Sequence, residues 1–118
     1  MKLNYMTIMV RDLEKSLAFY QELAGLQLVR RFNPGPGEIA FLANGAGETM
    51  LELIQFDHAE KVEVKGMVLS FLAAEDLAVL REKALQLGYA PTEIISAGPK
   101  PDHFKVIDPD GIVTEFGL

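Results

Sequence analysis

Residues 3–25 read LNYMTIMVRDLEKSLAFYQELAG, and the order of elements in this stretch decides the fold. Leu3 to Val10 is a run of long apolar and β-branched residues around Asn4, Tyr5 and Thr7, the composition of a strand. Arg11-Asp12 ends it, and the Asp12 carboxylate suits the free N–H groups that open a helix. Leu13, Leu17, Tyr20 and Ala24 then recur at helical spacing until Gly25, which takes the left-handed conformation that stops a helix.

Working outward, Leu26 to Phe32 is extended, Asn33-Pro34-Gly35-Pro36-Gly37 is a loop, and Glu38 to Ala43 is a short strand. Asn44-Gly45-Ala46-Gly47 turns the chain back. Thr49 to Phe56 closes the unit, with Glu52 between Leu51 and Leu53 and on the face opposite theirs. The unit is βαβββ.

The order then restarts. Residues 57–64 read as a linker, Met67 to Leu72 as a strand, and Asp76 as a helix cap before the stripe Leu77, Leu80, Ala84 and Leu87, which Gly88 ends as Gly25 does. Tyr89 to Ile95 is expected to be extended and Ser96 to Pro101 to be the matching loop. His103 to Ile107 and Ile112 to Leu118 are strands joined by the turn Asp108-Pro109-Asp110-Gly111. Glu52 follows Asp12, and Glu115 follows Asp76, by about 40 residues, so the glutamates occupy equivalent places. The expectation is a single α+β domain over 1–118, with repeat one at about 1–56 and repeat two at 65–118. A βαβββ unit cannot bury its sheet face alone, so the sheets are expected to combine, in one chain or across a dimer, around a shared concavity. Such junctions favour ligands.

Composition narrows the function classes. The 118 residues contain no cysteine, which excludes disulfides, thiolate metal sites and thiol nucleophiles and suits the cytoplasm. Eleven Lys and Arg against 17 Asp and Glu give a net charge of -6 with no basic cluster, which opposes binding to nucleic acid or anionic membrane. No stretch reaches the length of about 20 apolar residues needed to span a bilayer. No Ser-His-Asp arrangement and no dinucleotide fingerprint is assignable, and the Asn33 to Gly37 loop lacks the Lys-Ser/Thr of a phosphate cradle.

With these elements in place, the chain resembles the vicinal oxygen chelate superfamily of glyoxalase I, fosfomycin- and bleomycin-resistance proteins and extradiol dioxygenases. The resemblance covers essentially the whole chain. Its carriers are the opening strand with Val10 to Tyr20, Leu26 after Gly25, the strand around Leu51-Glu52-Leu53, and Asp108-Pro109-Asp110-Gly111 before Thr114-Glu115-Phe116. It implies two βαβββ repeats forming a curved mixed sheet around a cavity, a homodimer, and lyase- or dioxygenase-like chemistry on a small molecule. In its metal-dependent members a His or similar ligand from each first strand and a Glu from each last strand hold a divalent ion. Here the last-strand positions match at Glu52 and Glu115, but the first-strand positions fall on Tyr5 and on Gly66 or Met67. Both histidines are absent, which departs from a typical glyoxalase I.

Glu52 and Glu115 lie in apolar strands and are the candidate catalytic residues and metal ligands, expected to point into the cavity. The competing reading has them facing solvent or bonded to a neighbouring Arg or Tyr. Sharing a cavity without metal, they would repel and one would have a raised pKa, making it a general acid. Tyr5, Met67 and His103 are the candidate substrate-binding residues, each with an ordinary packing or surface reading beside it. His58 lies among acids in the linker and reads as solvated. Met6, Met9, Met50 and Met67 suggest an adaptable apolar wall, or plain core filling. Two main readings stand: an enzyme using the glutamates with or without a divalent metal, and a metal-free protein that binds and sequesters an aromatic or cationic small molecule. A dimerisation or regulatory module is the third.

Overall fold

The computed structural model describes residues 1–118 as two compact units, Met1–Val62 and Glu63–Leu118. The first unit runs β1 (Tyr5–Met9), α1 (Leu13–Ala18), β2 (Gln27–Phe32), β3 (Gly37–Ala43) and β4 (Met50–Phe56). Its sheet has the order β1-β4-β3-β2, with β1 parallel to β4 and the other pairs antiparallel. The second unit runs β5 (Val68–Leu72), α2 (Leu77–Gln86), β6 (His103–Ile107) and β7 (Val113–Gly117), in the order β5-β7-β6. Here β5 is parallel to β7, and β6 is antiparallel to it. Both sheets are therefore mixed, and the fold is α+β. No helix is long and apolar enough to cross a membrane.

The helix signals act as their chemistry requires. The Asp12 side chain accepts the Lys15 N–H, and Asp76 accepts those of Ala78 and Val79. Gly25 and Gly88 hold φ of 72° and 91°, which a side chain disfavours. One difference from a regular helix follows α1, where Phe19–Leu23 widens into a π-helical turn with the Ala24 N–H on the Phe19 carbonyl. The wider turn lets the adjacent Phe19 and Tyr20 both be fully buried, with their rings edge-on at 5.0 Å. Leu13, Leu17 and Leu23 join them against Leu42, Leu51 and Leu53 of the sheet in the core. The Leu13 N–H is tied to Gln55 Oε1 at 2.6 Å, which fixes the start of α1 on β4.

The second core is a stack of Phe71, Phe116 and Phe104 at ring separations of 5.5 and 5.4 Å, above buried Leu77, Leu80 and Ala84. The turn between β6 and β7 is held by buried Asp108, whose Oδ1 accepts the Asp110 and Ile112 N–H groups at 2.8 Å.

The expected strand Tyr89 to Ile95 is a correction: only Ile95 makes a bridge, to His103, and the second unit has three strands against four in the first. Pro91 has no N–H to give a ladder, and the Thr92 hydroxyl takes the Lys105 N–H that a strand carbonyl would accept. The segment still runs beside β6, with the Thr92 N–H on the Lys105 carbonyl at 2.9 Å.

Gly37, expected at the end of the loop, instead opens β3. At φ 153°, a Cβ there would lie 2.0 Å from the Gln55 carbonyl oxygen. Gly37→Ala is accordingly expected to lower unfolding free energy by more than 1 kcal/mol, and Asp76→Ala by about 0.5–2 kcal/mol through the lost cap, both read from urea midpoints at unchanged slope.

Candidate functional site

Strand alternation gives each sheet one face for its helix and one open face. In the first unit the register pairs Tyr5 with Met50, Thr7 with Glu52, and Glu52 with Phe41. These residues share the open face, while Met6, Ile8, Leu51 and Leu53 share the helix side. The Thr7 hydroxyl donates to Glu52 Oε1. Beside this pair the Tyr5 and Phe41 rings meet edge-on at 5.6 Å, and the Arg30 guanidinium lies 4.2 Å over the Phe32 ring. Glu52 thus sits half-buried among aromatic surfaces, bonded to a hydroxyl rather than to an Arg or Tyr.

The second unit repeats the pattern with a deeper carboxylate. Ser70 pairs with Glu115 across β5 and β7, and the Ser70 hydroxyl lies 3.1 Å from Glu115 Oε2. Lys100 Nζ donates to the other oxygen, Oε1, at 2.9 Å. His103 Nε2 stands 3.5 Å from that same Oε1, and its Nδ1 lies 2.9 Å from the Pro101 carbonyl oxygen. Since a carbonyl only accepts, Nδ1 carries the proton and Nε2 is the atom turned to the carboxylate. The Glu115 and His103 side chains are only 9% and 8% exposed, whereas that of Lys100 is 57% exposed. These groups and Ser70, Leu72 and Leu118 line a concavity of about 420 Å³.

The Lys100 ammonium, more than offsetting burial and aided by the Ser70 hydroxyl, holds the Glu115 carboxyl below the usual glutamate range. Glu115 is accordingly set up as an acceptor and not as a proton donor.

Tyr5 lies on the open face and is 43% exposed. The counterpart of Tyr5 in the second unit, two residues before the hydroxyl residue that faces the glutamate, is Val68. Met67 and Gly66 immediately precede β5. His103 is buried against Glu115, and His58 is exposed in the connection. The methionines do not form one wall, since Met6 shares the helix side with Leu51 while Met9 and Met50 belong to the open face.

Thr7, Ser70 and Lys100 escaped the reading of sequence. A signal existed for the first two, because each hydroxyl residue stands 45 positions before its glutamate. Lys100 gave only a lysine between Pro99 and Pro101.

A family model described as the glyoxalase/bleomycin resistance protein/dioxygenase superfamily matches residues 2–116. The chain belongs to this superfamily. Within the superfamily it is 32% identical, over 98% of its length and 95% of the relative's, to the uncharacterised protein YwbC of Bacillus subtilis (strain 168). It is also 32% identical to a lactoylglutathione lyase of Neisseria meningitidis (strain MC58), over 98% of this chain and 89% of that one. Among solved structures of superfamily architecture it resembles TnmS3, an antibiotic binding protein from Streptomyces sp. CB03234, with a TM-score of 0.77 and 22% identity over 99% and 94% of the two chains.

Carboxyl-detected NMR is expected to give Glu115 a titration midpoint below the usual glutamate range, rising in Lys100→Met. The sign for stability follows. A carboxyl whose pKa is lower folded than unfolded stabilises the fold at neutral pH, and that contribution is lost as pH falls through the folded value. The acid limb of a stability-versus-pH curve is therefore expected to be shallower in Lys100→Met than in the parent.

Proposed function

We propose that the protein acts on a small organic molecule received at an open sheet face, with Glu52 in the first unit and Glu115 in the second each the polar anchor of its own face, and that it differs from a typical glyoxalase I. The observation that carries this reading is a buried, ionised Glu115 with Ser70, Lys100 and His103 around a concavity of about 420 Å³. A charge is costly in such a place, and a hydrogen-bonded carboxylate beside an opening is a usual anchor for a ligand O–H or N–H.

The divalent ion of the metal-dependent members does not suit these donors. Tyr5 and Val68 stand in the first-strand places, and neither is an imidazole. Oε1 of Glu115 already carries an ammonium. The reading therefore assigns binding and orientation to the chain's own side chains. Glu52 and Glu115 accept hydrogen bonds, Thr7 and Ser70 fix the carboxylates in place, and the rings of Tyr5 and Phe41 give an apolar surface for a ring or chain. Met67 and His103 belong to the proposed contact set at the start of β5 and at Glu115. The homodimer expected from the resemblance remains part of the proposal, since β1 and β5 are sheet edges.

A second reading, in which the ligand is held without chemistry, draws on the aromatic face. Arg30 over Phe32, and Phe41 beside Tyr5 and Glu52, make a surface suited to a planar compound bearing a cationic or donor group. The antibiotic-binding neighbour is consistent with it at the level of fold.

The two are separated by one screen. A panel of aromatic, cationic and thiol-conjugated small molecules is tested for raised melting temperature, and each hit is then followed for turnover. Binding is expected to weaken about tenfold or more in Glu115→Gln or Phe41→Ala, as loss of a buried charged hydrogen bond or of an aromatic contact requires. Turnover lost in Glu52→Gln and Glu115→Gln supports the enzyme. Binding without turnover supports sequestration, and a panel with no hits contradicts both.

A further inference from the structure

We propose that Arg30 is a specificity residue of the first unit's open face, where it reads the anionic end of a flat aromatic ligand whose cationic end is held by Glu52. The inference narrows the ligand class of the proposed function to amphoteric aromatic compounds, and it rests on the reading of this face as a ligand surface.

The register sets four residues side by side across the sheet. Thr7 pairs with Glu52, Glu52 with Phe41, and Phe41 with Arg30, following the strand order β1-β4-β3-β2. Residues paired in this way project from one face, so the row reads hydroxyl, carboxylate, aromatic ring, guanidinium. Adjacent strands lie about 4.8 Å apart, which separates the backbones of Glu52 and Arg30 by about 10 Å. Between them stands Phe41, whose ring is met edge-on by that of Tyr5.

The rows on either side are apolar or aromatic. On one side Met9 pairs with Ile54, Ile54 with Ile39, and Ile39 with Phe32, and on the other Tyr5 pairs with Met50. Glu52 and Arg30 are thus two charges of opposite sign set in an apolar field. The two arginines of β2 are used differently. Arg31 pairs with Ala40 on the helix side and is bound by Glu14 and Glu38. Arg30 turns to the open side, where its guanidinium lies 4.2 Å over the Phe32 ring. An aromatic ring engages the flat side of a guanidinium and not its N–H edge, and that edge is the part that receives a carboxylate through two parallel hydrogen bonds.

A ligand with a cation alone would satisfy Glu52 but face Arg30 across the ring, and one with an anion alone would meet the reverse. A ligand that carries both, joined by one ring stacked on Phe41, is attracted at each end.

The test is a titration of the full chain followed by amide chemical shifts, with four probes of one shape. These are para-(aminomethyl)benzoate, which carries both charges, para-methylbenzylamine, para-toluate and para-xylylenediamine. The parent is expected to bind the amphoteric probe about tenfold or more tightly than any of the others in low salt, as a second charge-assisted hydrogen bond requires, with the shift changes centred on the Glu52, Phe41 and Arg30 row. Arg30→Gln should bring the amphoteric probe down to the level of the methylbenzylamine. Arg30→Glu should invert the order, so that the diamine binds best. Arg30 is exposed on an edge strand, so both replacements leave the core intact, which an unchanged melting temperature verifies. Glu52→Gln should weaken the amphoteric probe and the amine alike and spare the toluate.

Equal affinity of the parent for the amphoteric probe and the amine would overturn the inference while leaving the proposed function standing, since the amine would still be held at Glu52. A preference for the amphoteric probe that survives Arg30→Gln and Arg30→Glu overturns it as well. Binding of none of the four probes by the parent also overturns it, and the ligand screen then separates the two claims: hits elsewhere in that panel spare the proposed function, and a panel with no hits contradicts both.

Discussion

The parallel pairing of the first and last strand in each unit is the constraint on which the site depends. It places Thr7 opposite Glu52 and Ser70 opposite Glu115, and it can form only because a helix carries the chain back between the two strands or their neighbours. A one-residue slip would turn both glutamates into the apolar layers and bring Leu51, Leu53, Thr114 and Phe116 to the open faces. The register is protected by that penalty. Leu53 and Phe116 are almost fully buried, which leaves the carboxylates no choice of face.

Given that register, the two units use their glutamates differently. Glu52 is half-buried beside aromatic rings and meets one hydroxyl. Glu115 is buried deeper, and both its oxygens are engaged, one by a hydroxyl and one by an ammonium. A deep carboxylate without a cation would be unfavourable in this position, so Lys100 is as much a condition of the second core as a feature of its surface. The duplicated fold thus carries one carboxylate that meets a single hydroxyl and one whose two oxygens are both engaged within its own unit.

Much of this was legible in sequence because it rests on local rules. Asp12 and Asp76 before apolar stripes, Gly25 and Gly88 after them, and Asp108-Pro109-Asp110-Gly111 each prescribe their own backbone, and each does so in the structure. The face of Glu52 followed from its leucine neighbours. What was not legible depends on partners distant in the chain. The strand expected at Tyr89 to Ile95 has the right composition, but Pro91 and the Thr92 hydroxyl break its ladder against Lys105. That Val68 matches Tyr5 in register follows from the pairing of β5 with β7, which spacing from the linker does not fix. Lys100 carried no signal, since its role exists only once β7 brings Glu115 beneath the loop.

The central claim is that Lys100 and Glu115 act as one unit. A double-mutant cycle of Lys100→Met and Glu115→Gln, measured by urea unfolding at neutral pH, tests it most directly. The account predicts a coupling of at least about 0.5 kcal/mol that persists in high salt, as a pair with one buried member requires. Additivity of the two substitutions within about 0.3 kcal/mol would contradict it.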